Sequence, residues 1–173
     1  VKKYLPAIVC GFGAGVLQIV PFIKSFSCCL IMPLAAFAAL LLEQKANRSI
    51  EKMSRKKAVS LGLLTGLFAA LFGTILEIFI TLITRQNDIV TTFPELQKMI
   101  DTFPLAGEIK QDVISLFQSV RNEIAEHGFS WFYTFSLFVN NFIVDPVFGA
   151  IGGLLGLQII NNRNNNSQNN FYE

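Results

Sequence analysis

Charge is scarce in this chain, and it is missing in long blocks. Only 15% of the residues are Asp, Glu, Lys or Arg, against roughly 25% in soluble domains. None lies between Pro6 and Ile23, and none between Phe26 and Leu42. From Ala58 to Thr84 the sole charged side chain is Glu77, and from Gly128 to Asn162 it is Asp145. Such blocks exclude a water-facing surface over most of the length. Metal-binding residues are equally thin. His127 is the single histidine, and the cysteines are Cys10, Cys28 and Cys29. One imidazole does not make a metal or haem site, and these thiols supply no zinc ligand set. The cysteines read as small apolar filler. There is no Ser/His/Asp grouping, no P-loop and no paired Cys-x-x-Cys. The sequence therefore predicts a non-enzyme with no catalytic, cofactor-binding or metal-binding residues, and without a nucleic-acid partner.

What the chain has in abundance is apolar bulk: 52% hydrophobic residues, 17 phenylalanines and a mean hydropathy of +0.49. A membrane helix needs about 20 mostly apolar residues to cross a hydrocarbon layer of roughly 30 Å. Four segments meet or approach that length, at about 5–22, 27–43, 58–84 and 130–160. The predicted fold is all-α: a four-helix transmembrane bundle forming one membrane domain over residues 1–160. An Asn-rich stretch of low complexity, 161–173, reads as a disordered tail. Pro6 falls in the first turn of the first segment, where a missing N–H is harmless. Pro33 is expected to kink the second segment. The third, at 27 residues, exceeds what the layer requires and should tilt or project. No small-x-small cleavage site follows the first segment before Pro21, so it is expected to be retained rather than removed as a signal.

The charges that exist are sorted by side. The loop 44–57 carries Lys45, Arg48, Lys52, Arg55, Lys56 and Lys57 against a single Glu51. Residues 85–127 hold four basic side chains and seven acidic ones. Short loops rich in Lys and Arg stay in the cytoplasm. The basic loop is thus expected inside, together with Lys2, Lys3 and Arg163, which puts both termini on the cytoplasmic face of a bacterial inner membrane. Lys24 and residues 85–127 fall outside. The outer segment reads as a helical cap between the third and fourth membrane helices, with amphipathic helices at about 92–103 and 105–127. Thr92-Phe93-Pro94-Glu95 resembles a capping-box start, and Thr102-Phe103-Pro104 echoes it. Ile109, Val113, Leu116, Phe117, Val120 and Ile124 then recur at helical spacing. Such a stripe suits a membrane surface or the mouth of a bundle.

The most specific pattern is a stripe of small residues ending in a polar one. Gly62, Gly66, Ala70, Gly73 and Glu77 share a helix face. Asn141, Asp145, Gly149, Gly152 or Gly153, and Gly156 repeat it in the last segment, and Gly11, Gly15 and Gln18 in the first. Gly-xxx-Gly spacing lets helix backbones approach closely, which drives association in lipid. An ionisable residue at depth costs about 2.5–3.5 kcal/mol on insertion scales, so it turns inward and finds a partner. The expected polar layer comprises Gln18, Glu77, Asn140, Asn141 and Asp145, with Thr74 and Thr81 as further partners. No Lys or Arg stands at comparable depth. Asp145-Pro146 also has the form of a helix start, with Asp as N-cap and Pro at the first helical position. Pro146 is accordingly expected to break the last helix.

The layout resembles uncharacterised bacterial four-helix membrane families classed as domains of unknown function. The shared features are a short first hairpin, a basic inner loop leading into Ala58–Gly66 (AVSLGLLTG), a long amphipathic connection, and a Gly-rich final helix (FGAIGGLLG, Phe148–Gly156). The resemblance implies a multi-pass membrane protein and carries over no functional residue. Two functions fit these features. The first is a non-catalytic accessory or scaffold subunit, in contact with lipid and with other membrane subunits or copies of itself. The alternative is a small oligomeric transporter or channel using Glu77 and Asp145. A membrane enzyme is a distant third.

Overall fold

The computed structural model describes residues 4–24, 26–47, 53–104 and 106–169, and within these all side chains but those of 21, 22, 28 and 164–169. Lys2, Lys3, Arg48, Glu51, Lys52 and the last four residues of the Asn-rich stretch lie outside the described residues. The described chain is all-α. Its elements are α1 (Leu5–Leu17), α2 (Pro21–Lys24), a π-helical turn (Ser27–Ile31), α3 (Met32–Asn47), α4 (Arg55–Thr84), α5 (Asp88–Thr102), α6 (Gly107–His127) and α7 (Trp131–Asn169). They form two compact units, Val1–Leu76 with Phe138–Glu173, and Glu77–Leu137.

Three helical stretches are long and apolar enough to cross a membrane: Cys29–Asn47, Arg55–Thr84 and Trp131–Arg163. The expectation of four is corrected at the first segment. With 13 residues, α1 reaches about 20 Å at 1.5 Å per residue, short of the roughly 30 Å layer. The sequence explains where it stops. Pro21 cannot donate to a helical ladder and disfavours the α conformation in the residue before it. The N–H groups of Ile19 and Val20 tighten onto the carbonyls of Val16 and Leu17 instead, at 3.3 and 3.2 Å.

Pro33 acts on the entry to α3. The Met32 N–H donates to the carbonyl of Ser27, five residues back, and Ile31 does the same to Phe26 at 3.5 Å. This wide turn accommodates a ring that would clash in a regular α-helix. α3 then runs past the expected end at 43, because Glu43 continues its buried series Met32, Ala36, Ala39 and Leu40.

In the first unit four helices meet around small residues. Ala7 of α1, Ala39 and Leu40 of α3, Ala58 and Leu61 of α4, and Leu157 and Ile160 of α7 form one buried cluster. Ala14, Met32 and Ala69 form another, packed by Ile31, Ala35 and Phe148. Pro146 does not break the last helix: α7 runs unbroken for 39 residues with Pro146 inside it. One lost ladder bond is tolerated where neighbouring helices surround the site, and Gly66 of α4 leaves the space against Asp145 and Pro146. The residues 161–169, expected to be disordered, continue α7. Adding turns to a formed helix is far easier than nucleating one. Asn161 also anchors the stretch: its Oδ1 accepts from the Met53 N–H at 3.2 Å and its Nδ2 donates to the Met53 carbonyl at 3.4 Å.

In the second unit α5 begins earlier than the Thr92-Phe93-Pro94-Glu95 pattern suggested. Asn87 is the N-cap, its side chain accepting from the Val90 N–H at 2.9 Å. The hydroxyls of Thr91 and Thr92 donate back to the carbonyls of Asn87 and Asp88 at 3.0 and 2.6 Å, so the threonines serve the helix interior. Phe103, just before Pro104, is extended at φ −71°, ψ 142°, the geometry a proline imposes on its predecessor; α6 starts at Gly107 rather than 105. It ends on Gly128 at φ +73°, where only a glycine is unstrained. The stripe on α6 splits. Val120 and Ile124 are buried, as is Phe93 of α5, while Ile109 and Leu116 stay exposed. The Arg121 guanidinium sits 5.1 Å from the centre of the Phe93 ring, a cation–π contact.

Candidate functional site

The glycine stripe brings helix backbones together in the first unit, and it serves more than one neighbour. On α4, Gly62 and Gly66 face α7. A Cβ on Gly62 would strike the carbonyl oxygen of Gly149, and one on Gly66 the carbonyl oxygen of Asp145. Gly73, about two turns beyond Gly66, instead faces Gly15 and Gln18 of α1. α1 returns the contact: a Cβ on Gly11 would lie 2.7 Å from the Thr65 carbonyl oxygen, and one on Gly15 would lie 2.8 Å from the Gly73 nitrogen. On α7, Gly149 and Gly153 turn to α4, whereas Gly152 and Gly156 turn to Pro33 and Phe37 of α3. One face of α4 therefore does not describe the arrangement; two adjoining faces do.

Into this packing the structure sets Gln18 and Asp145. Both are buried. Gln18 is the C-cap residue of α1. Its amide Nε2 donates to Asp145 Oδ2 at 3.0 Å and to Met32 Sδ at 3.4 Å, joining α1, α3 and α7 through one side chain. Gly73 makes the reach possible, because a Cβ there would lie 2.6 Å from Gln18 Oε1. Asp145 is thus a cross-link inside α7, not the N-cap of a broken helix. Nearby in sequence, Asn141 Nδ2 donates to Thr74 Oγ1 at 3.0 Å, and the exposed Asn140 donates to Asn141 Oδ1 at 3.3 Å. Thr81 is buried in the second unit.

Glu77 belongs to the second unit. Its partner was not foreseen: the Tyr133 hydroxyl donates to Glu77 Oε1 at 2.6 Å. A signal existed, since a tyrosine in an apolar helix carries a hydroxyl that must be satisfied. Of the expected layer, Gln18 bonds Asp145, and Asn141 bonds Asn140 and Thr74, in the first unit, while Glu77 bonds Tyr133 in the second.

A carboxylate not marked out from the sequence is Glu43, 4% exposed. Lys57 Nζ lies 2.7 Å from its Oε1, and Asn47 Nδ2 donates to the same oxygen at 2.7 Å. Helical spacing could have found it, because Ala36, Ala39, Leu40 and Glu43 share one side of α3. Among the described residues no three or more of His, Cys, Asp and Glu lie close enough together to hold a metal ion. What these groups do chemically is fasten helices: each carboxylate accepts a hydrogen bond from a side chain on a different helix. No protein-family model, curated protein or solved structure matches this chain.

Proposed function

We propose that the chain is a non-catalytic, multi-pass membrane protein that acts as an accessory or scaffold subunit of a larger membrane complex. The observation that carries this reading is the bond from Gln18 to the buried Asp145 carboxylate. It lies among glycines whose neighbours leave no room for even a methyl group. A polar group facing hydrocarbon unpaired costs several kcal/mol, so such a pair holds its helices in one register and makes a rigid body. Large apolar side chains point outward along the same helices, among them Phe12, Leu34, Ile143 and Ile159 at 48–61% exposure. These suit acyl chains or the helices of a partner subunit. The exposed Trp131 and Phe132 at the start of α7 fit the aromatic belt of a membrane boundary. The basic loop 44–57 favours an inner-membrane orientation with that loop and the C-terminal end of α7 in the cytoplasm, and residues 85–127 on the opposite face.

The test is purification in a mild detergent from the native membrane. A scaffold subunit co-purifies with distinct membrane proteins in fixed stoichiometry. A clean homo-oligomer argues against it. If Glu77→Gln or Asp145→Asn abolishes solute or proton flux in vesicles while leaving assembly intact, the transporter takes its place.

A further inference from the structure

One cavity in the first unit lies apart from the Gln18–Asp145 pair that carries the scaffold reading, and shares with the helix fastenings only Glu43 and Lys57. It has a volume of about 510 Å³ and lies between the start of α1, the end of α3 and the start of α4. Its polar end is lined by Tyr4, Ser54, Lys56, Lys57 and Ser60, and its apolar end by Leu61 and Leu64. The order is set by helical spacing: positions 57, 60, 61 and 64 form one stripe on α4. The lining therefore passes from ammonium and hydroxyl groups to leucine within two turns of the helix.

The charges face a particular kind of ligand. Glu43 also lines the cavity, but one of its oxygens is already taken by Lys57 and Asn47. An ammonium has three N–H donors, and the pair with Glu43 occupies one of those of Lys57. Lys56 is exposed. Ser54 precedes α4 and its Oγ accepts from the Lys57 N–H at 3.4 Å, so the first turn of that helix adds the partial positive charge of its N-terminus. An anion with several acceptor oxygens fits the polar end. The leucines of the other end would gain nothing from a free inorganic anion. They match the glycerol and upper acyl region of a lipid.

We propose that this cavity binds the phosphate-bearing headgroup of an anionic glycerophospholipid, with Lys56 and Lys57 on the phosphate and the first acyl carbons along Leu61 and Leu64. The proposal rests on the membrane reading above and does not depend on the scaffold role. Basic pockets beside membrane helices on the cytoplasmic side are a general means of holding such headgroups.

The full chain, purified in a neutral detergent, is titrated with phosphatidylglycerol, phosphatidylcholine or inorganic phosphate, and bound lipid is counted by native mass spectrometry. Phosphatidylglycerol is expected to bind selectively. Lys56→Gln should weaken it about fivefold, the contribution of one basic residue near an anionic surface. Lys57→Gln combined with Glu43→Gln, which leaves no unpaired buried carboxylate, should do the same. Ser60→Phe, which fills the cavity without altering charge, should remove the selectivity altogether. Lys45→Gln, an equal charge change outside the lining, should leave binding as it was. Equal binding of both lipids overturns the site, as does equal loss in the Lys45 and Lys56 variants, which would mean diffuse attraction. Binding of inorganic phosphate in place of the lipid overturns it too. Alkaline extraction of membranes separates the two readings: a chain that washes off refutes membrane insertion. One that stays, but shows no lipid preference, refutes only this site.

Discussion

Replacing Gly66 with alanine gives the most direct measure of how closely α4 and α7 are packed. The added Cβ would strike the Asp145 carbonyl oxygen and lie 2.5 Å from Pro146 Cα and 2.6 Å from the Asp145 carbonyl carbon. All three are backbone atoms, so no rotamer change relieves the clash. Carbon atoms rest at about 3.5–4.0 Å from one another, so the two helices must part by roughly 1 Å or bend. Overpacking of this kind costs about 1–3 kcal/mol. Alanine also gains about 0.8–1.0 kcal/mol of helix propensity over glycine, which would mask part of the loss. Gly13 supplies the correction, because a Cβ there meets nothing within 4 Å. Gly13→Ala keeps the propensity gain alone, and subtracting it leaves the packing cost of Gly66→Ala, about 1–3 kcal/mol. Reversible unfolding in mixed micelles with rising dodecyl sulfate measures both variants beside the parent. Gly13→Ala should move the midpoint up and Gly66→Ala should move it down. Equal upward shifts would show that the helices are not in backbone contact at this point, and the packing argument would fail with them.

Gln18→Ala removes the donor to Asp145 and should destabilise by about 1–3 kcal/mol, the cost of stranding a buried acceptor; a double-mutant cycle with Asp145→Ala isolates the pair. Tyr133→Phe deletes the hydroxyl bonded to Glu77 and should lower stability by about 0.5–1.5 kcal/mol, readable as a fall in thermal midpoint that Glu77→Gln, which keeps an acceptor, does not match. Gly128→Ala forces a side chain into the left-handed region at φ +73° and toward the Leu82 carbonyl oxygen, at 2.7 Å from the Cβ. It should cost about 1–2 kcal/mol, and hydrogen exchange should rise around the end of α6.

The long helices were legible because the absence of charge is a one-dimensional signal. Whether Pro146 breaks α7 was not, because the answer lies on another helix: the backbone of Asp145 and Pro146 is accommodated by the missing side chain of Gly66. The same holds for α1. Its apolar run continues to Ile23, yet the helix stops at Leu17, since Pro21 acts on the residues before it. Among the polar residues, spacing marked Gln18, Asn141 and Asp145 as inward-facing, and each has an inter-helix partner. Spacing could not say that Glu77 would meet a tyrosine 56 positions away. Glu43 escaped notice because it stands at the edge of an uncharged block, where a carboxylate looks like a boundary. The start of α5 was misplaced for a related reason. Thr92-Phe93-Pro94 has the form of a cap, but Asn87 offers a better one a turn earlier.

The glycines and the polar pair do different work on the placement of α1. Along α1, Gly11 and Gly15 are four residues apart, and each meets small or backbone atoms of α4. A slip of one turn would carry Gly11 to the place of Gly15, and the backbones could still touch. Small-residue spacing therefore stabilises contact without choosing among registers. Gln18 has no such repeat. The same slip would bring Ala14 to the position opposite Gly73, and Asp145 would lose its amide donor while remaining buried. Hydrogen bonds between membrane helices contribute only about 0.6 kcal/mol on average, whereas a buried acceptor left without a donor costs about 1–3 kcal/mol. The pair thus adds little to the correct register and penalises the wrong one. On this reasoning the fold owes its closeness to glycine and its uniqueness to one amide and one carboxylate.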